Sequence, residues 1–224
     1  MTLLVIYEIA LSNCREEIME NCTVHLFVFD GMADWEAAFA IAAIQNPQFQ
    51  LNSSCFSVTT AARYHAPVTT MGGVRILPHM TIDEVFPDQS SLLILPGGRS
   101  WETGGNLEAL ERAHAFVDEG VPVAAISTAT LALARTGLLD SRLHTSNNAA
   151  YLATSGYHGG GHYRDVPAIT DRNVTTASGI APLEFANEIV KMLRLASSST
   201  LDARTALYKY GGASQFCEPA ARCA

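Results

Sequence analysis

Three stretches of this chain carry residue types that could do chemistry, and each follows a strand-like apolar run. In Ala124-Ala125-Ile126-Ser127-Thr128-Ala129-Thr130 a buried strand turns sharply into a helix. A one-residue corner of this kind exposes its residue, and small neighbours at −2 and +2, here Ala125 and Ala129, relieve the crowding. The Ser127 hydroxyl then meets the free N–H groups of a helix N-terminus, which favour developing negative charge. Serine is also a preferred helix N-cap, so the same position reads equally as a cap with no chemistry. In Leu95-Pro96-Gly97-Gly98, paired glycines let the backbone approach a ligand and aim N–H groups at an oxyanion, or simply make a tight turn. In Asp30-Gly31-Met32-Ala33-Asp34-Trp35-Glu36, Asp34 complements a helix dipole, while Glu36 matters only if the fold turns it toward Ser127. The glycines fit neither a P-loop nor G-x-G-x-x-G, so nucleotide binding is not expected.

The elements that position these residues alternate along the chain. Strands are expected at 23–29, 55–60, 91–95, 121–126, about 143–146 and 173–177, with a hairpin over 67–78. Helices are expected over 34–44, 106–119, 128–136, 148–154, 182–195 and 201–210, with Ser197-Ser198-Ser199 as a hinge before the last and 156–161 as a loop. Strands that are apolar throughout and alternate with helices imply an α/β fold whose mostly parallel sheet is covered on both faces. In such sheets ligands bind beyond the carboxyl ends of the strands, where all three stretches lie.

Taken together, these motifs resemble the ThiJ/PfpI superfamily (Parkinson-associated deglycase-like proteins), part of the class I glutamine amidotransferase-like fold. The resemblance runs from about Val24 to Leu195. It rests on 29–36, Leu95-Pro96-Gly97-Gly98, Ala124-Ala125-Ile126-Ser127, Gly137-Leu138-Leu139-Asp140, His144-Thr145-Ser146-Asn147, and Ala177-Ser178-Gly179 with Pro182-Leu183-Glu184-Phe185-Ala186. It implies a flavodoxin-like, single-domain sheet sandwiched between helices, and a homodimer. It also implies a nucleophile elbow, a carboxylate matching Glu36 beside the nucleophile, an oxyanion hole from the amides of Gly98 and Thr128, and, in some relatives, a histidine at the position where this chain has Asn147. Gly97 and His144 complete the expected set.

The elbow departs from the family pattern: Ile-Cys-Gly-Ala is replaced by Ile126-Ser127-Thr128-Ala129. A cysteine is ionised by a helix N-terminus, but a serine hydroxyl needs a base within hydrogen-bond reach. Glu36 is the nearest candidate base; His144, His158 and His162 are alternatives. Two functions follow. One is a divergent hydrolase, hydratase (lyase) or glyoxalase-like enzyme acting on a small carbonyl, amide or related electrophile. The other is a pseudoenzyme serving as a ligand-binding, stress-response or sensing dimer.

Composition narrows the partners. The 224 residues carry a formal net charge of −8, with 48% apolar and 16% charged, which argues for a packed core and against a nucleic-acid footprint. No run of about 18 apolar residues suggests a membrane span. No basic segment precedes the apolar run Leu3 to Leu11, so a cytoplasmic protein is expected. Cys14, Cys22, Cys55, Cys217 and Cys223 have no zinc-site spacing, and an odd number does not make a disulfide framework. Neither a metal nor a cofactor is expected, and the partners are a small-molecule ligand and a second copy of the chain. Residues 1–20 read as an N-terminal extension, 21–196 as the domain and 197–224 as a C-terminal helix and tail.

Overall fold

The computed structural model describes residues 23–46 and 56–211. The extension at 1–20 and all five cysteines lie outside them.

Four-residue apolar runs make the centre of the molecule. β1 (Thr23–Phe27), β6 (Leu92–Leu95) and β7 (Val123–Ile126) lie side by side, and β6 and β7 are buried at every position. The full sheet has seven strands in the order β5-β2-β1-β6-β7-β9-β8, with β2 at Ser57–Ala62, β5 at Met80–Thr81, β8 at Ala168–Asp171 and β9 at Val174–Ala177. Every pairing is parallel except β8 with β9. The chain steps from β1 outward to β2, then returns to lay β6 on the other side of β1. That reversal opens a crevice at the carboxyl ends of β1 and β6, where the Pro96-Gly97-Gly98 turn lies.

Helices cover both faces. α1 (Asp34–Gln45) packs on α5 (Pro182–Met192) over one face. Right-handed crossovers put α2 (Leu107–Asp118) and α3 (Thr128–Arg135) over the other. The short α4 (Ala149–Ala153) follows α3, with Asn148 accepting from the Tyr151 amide at 2.7 Å as its cap. The hairpin expected at 67–78 is the antiparallel pair β3 (Val68–Thr69) and β4 (Arg75–Ile76). It is tied to α1 by Asp34, whose carboxylate accepts from the Thr70 hydroxyl and, at 2.6 Å, from the Gly72 amide. Asp34 is thus a tether for the hairpin as well as a first-turn acid.

Three expectations change. The strand at about 143–146 is an irregular segment with a single bridge, His144 to Tyr163, because its polar groups are spent on side-chain bonds across the fold. β5 and β8 were not expected; both are short, partly buried edge strands without a strong apolar run. Ser197-Ser198-Ser199 is the start of a helix: Ser197 caps α6 (Ser198–Tyr210), accepting from Thr200 N at 3.2 Å. α6 docks on α5, where Arg204 donates to Asn187 Oδ1 at 2.7 Å and Asn187 donates to Thr205 at 2.6 Å.

Candidate active site

The corner between β7 and α3 is built around one residue. Ser127 has φ 60° and ψ −126°, in a region that L-residues avoid at a cost of about 1–3 kcal/mol. It sits at the N-cap position of α3, yet its side chain makes no cap hydrogen bond. An ordinary cap has extended backbone and a side-chain oxygen that accepts from a first-turn N–H; this serine has neither. The strain is held from several sides. Ser127 N donates to the carbonyl of Ala177 at the end of β9, at 2.9 Å. The buried Thr130 hydroxyl donates to the Ser127 carbonyl at 2.6 Å and is itself 2.6 Å from Ser146 Oγ. Ala129 and Ala125 are fully buried in the crowded corner.

Glu36, in the first turn of α1, is only 3% exposed. It is wedged between the carboxyl ends of β6 and β9. Its Oε2 accepts from Gly97 N at 2.5 Å, and the carboxylate also accepts from the Ser127 hydroxyl. Two glycines make room for it. A Cβ on Gly97 would lie 2.6 Å from Glu36 Oε2, and one on Gly179 would lie 2.7 Å from Ser127 Oγ and 3.1 Å from Glu36 Oε1. Burial pushes the Glu36 carboxyl up to about 7, against the opposing pull of the bonds from Gly97 and Ser127. A carboxyl of that pKa, bonded to a hydroxyl, can take its proton near neutral pH.

Asn147 completes the cluster. Its Nδ2 lies 3.4 Å from Ser127 Oγ, toward which it donates, and its Oδ1 accepts from Gly179 N at 2.9 Å. Trp35 Nε1 in turn reaches the Gly179 carbonyl at 3.3 Å. These groups open on a cleft of about 480 Å³ lined by Trp35, Glu36, Ser127, Asn147, Gly179, Ile180 and Pro182. The turn after β6 is anchored by fully buried Trp101, which donates to the Pro96 carbonyl at 2.9 Å and packs against Phe27 and Phe29.

The structure thus brings Ser127, Glu36, Gly97, Gly98, Thr128 and Asn147 to one place. The amides expected to form an oxyanion hole are not all open, however. Gly97 N–H is taken by Glu36, and Gly98 N–H donates to Thr128 Oγ1 at 2.7 Å. His144 belongs elsewhere. It is fully buried, and its ring nitrogens meet the Arg142 carbonyl at 2.7 Å and the Tyr157 hydroxyl at 3.0 Å. A ring with both nitrogens engaged away from Ser127 does not serve as its base. His158 and His162 flank the turn beside His144, and neither lines the cleft. Among the described residues no three His, Cys, Asp or Glu side chains are grouped as a metal would need, and no helix is long and apolar enough to cross a membrane.

Gly179 and Trp35 lie within the sequence motifs, whose spacing assigns them no role. The signal for Gly179 was available: like Gly97, it is a glycine just past a buried parallel strand. Trp35 carried no signal beyond its neighbour Glu36.

The chain is similar to known proteins. A Bacillus subtilis (strain 168) protein named as an uncharacterized protease, YoaZ, is 38% identical over 186 residues, covering 82% of this chain and 89% of its own. The Pyrococcus furiosus deglycase PfpI is 35% identical over a shorter 101 residues, 45% of this chain and 61% of that protein. Among solved structures, a thiJ/pfpI family protein from Bacillus anthracis superposes with a TM-score of 0.80 at 39% identity, covering 86% of this chain and 92% of that one. Residues 22–192 match the DJ-1/PfpI family, and to that family this chain belongs.

Proposed function

We propose that this chain is a hydrolase that attacks a small carbonyl or amide electrophile with Ser127, using Glu36 as general base. The observation that carries the reading is the Ser127 backbone at φ 60° and ψ −126° with no cap hydrogen bond, a strained conformation that helix capping does not call for. The names of relatives, a deglycase and a protease, fit that substrate class. In the forward step Glu36 accepts the Ser127 proton as Oγ bonds to the carbonyl carbon, and the π pair moves onto the carbonyl oxygen. Asn147 Nδ2 and the Thr128 amide at the start of α3 face the developing charge. The tetrahedral species collapses, the leaving amine takes the proton from Glu36, and water then cleaves the Ser127 ester with Glu36 again as base.

The test is hydrolysis of a panel of small esters, amides and glyoxal-modified amines. Ser127→Ala is expected to lose about 10³-fold or more in kcat/KM. The wild-type profile is expected to rise with pH through an apparent pKa of about 7, and Glu36→Gln to lose that limb. Equal rates for wild type and Ser127→Ala overturn the reading.

One observation favours a second reading, a ligand-binding pseudoenzyme: the amides of Gly97 and Gly98 are already engaged by side chains. In that case Ser127→Ala keeps the wild type's ligand-induced thermal shift, and neither protein turns over. Either function fits a homodimer, since Trp35 and Ile180 at the mouth of the cleft are 49% and 94% exposed. Light scattering at micromolar concentration should give the mass of two chains; a monomer mass refutes the dimer.

A further inference from the structure

Thr128 is the first residue of α3, and its hydroxyl stands among the site's donors. Its Oγ1 accepts from Gly98 N at 2.7 Å and donates to the Gly98 carbonyl at 2.9 Å. The same oxygen crowds the space over Gly97, where an added Cβ would lie 3.0 Å from it, 2.9 Å from Ser127 Cβ and 2.6 Å from Glu36 Oε2. An oxygen 2.7–3.1 Å from a backbone N–H, beside the nucleophile, is where a developing oxyanion is held. Here that oxygen belongs to the protein. Its one proton and one of its lone pairs are both engaged by one residue, so the hydroxyl is fixed rather than free to turn aside.

We propose that the Thr128 hydroxyl is a built-in occupant of the oxyanion position, and so decides which electrophiles Ser127 can process. With the Gly98 amide withheld, charge on a tetrahedral adduct falls to Asn147 and the Thr128 amide alone. Electrophiles that place a full negative charge on the Gly98 side are disfavoured, and emptying the position the hydroxyl fills admits them. The inference rests on Ser127 being the nucleophile.

The probe is phenylboronic acid. The Ser127 oxygen bonds to trigonal boron, the serine proton passes to Glu36, and boron becomes tetrahedral and anionic with no leaving group. Thr128→Ala should bind it at least about tenfold tighter than wild type. Thr128→Val, which keeps the bulk without the hydroxyl, should show no such gain. Ser127→Ala/Thr128→Ala should bind no better than wild type. An independent readout is the Gly98 amide, whose hydrogen exchange should accelerate in Thr128→Ala and whose NMR shift should move. If Thr128→Ala does not fold, Thr128→Ser releases the hydroxyl from its methyl-fixed rotamer and should give a smaller gain, about threefold. Unchanged boronate affinity and an unmoved Gly98 amide, with Ser127→Ala still abolishing turnover, overturn this inference alone. A double variant that binds as tightly as Thr128→Ala overturns the role of Ser127 instead.

Discussion

Glu36 and His144 are both ionisable side chains sealed inside the same domain, and the fold treats them in opposite ways. His144 has its two ring nitrogens on the Arg142 carbonyl and the Tyr157 hydroxyl, with the edges of Tyr157 and Tyr163 against its ring at centroid distances of 5.3 and 5.9 Å. A carbonyl only accepts, so Nδ1 carries the proton and Nε2 accepts from Tyr157. Burial holds this imidazole below its usual pKa, against the raising effect of the Arg142 bond, and a neutral ring suits both partners. Glu36 instead shares its carboxylate between an amide and a strained serine, beside a cleft. The difference is informative. Burial with every valence met inside the protein makes structure, whereas burial next to strain and open space makes a candidate for chemistry.

The comparison breaks most visibly in turnover. Against the loss of about 10³-fold expected for Ser127→Ala, His144→Phe should keep kcat/KM within about threefold of wild type. A His144→Phe enzyme as dead as Ser127→Ala would put the histidine back in the mechanism.

The pH dependence of stability sharpens it next. The Glu36 carboxyl binds its proton more tightly folded than unfolded, so its contribution is fully present below pH 4.5 and is lost as pH rises through about 7. A shift of that size corresponds to roughly 3 kcal/mol. Urea unfolding at pH 5 and pH 8 should reveal most of this loss in wild type, and Glu36→Gln should remove it. His144 has the opposite sign: its folded pKa is depressed, so its contribution is present above the ordinary histidine value and is lost as pH falls. An alkaline loss that survives in Glu36→Gln assigns the titration to another group.

The smallest effect is the cost of His144 as a structural residue. His144→Phe leaves the Arg142 carbonyl and the Tyr157 hydroxyl without their partner, which costs about 2 kcal/mol. A lowered urea midpoint with unchanged slope is the expected result, and an unchanged midpoint would show that the ring is dispensable to the fold.

What was legible in the sequence was local. The apolar runs of β1, β6 and β7 announce themselves by composition, and the corners after β6 and β7 by their small residues. The pairing of Glu36 with Ser127 was legible only through family resemblance, because the two are 91 positions apart. The link from Asn147 through Gly179 to Trp35 is likewise made by folding and leaves no pattern in spacing. β8 was missed because Ala168-Ile169-Thr170-Asp171 is half-buried at an edge and lacks the continuous apolar run of a central strand. His144 was legible as a histidine near Asn147; that its nitrogens were already committed depends on Tyr157 and on backbone geometry.

The bond from Ser127 N to the Ala177 carbonyl also sets a time order. Ala177 ends β9, the last strand in sequence among the described residues, and β9 pairs with β7 from about fifty positions further along the chain. A growing chain can form β1, β2, β6 and β7 while Ser127 still lacks that anchor, and before Asn147 has Gly179 to hold it. The Ser127 corner is therefore completed at the end of folding. Recovery of turnover after dilution from denaturant should report the closure of the whole sheet, trailing the return of helical signal.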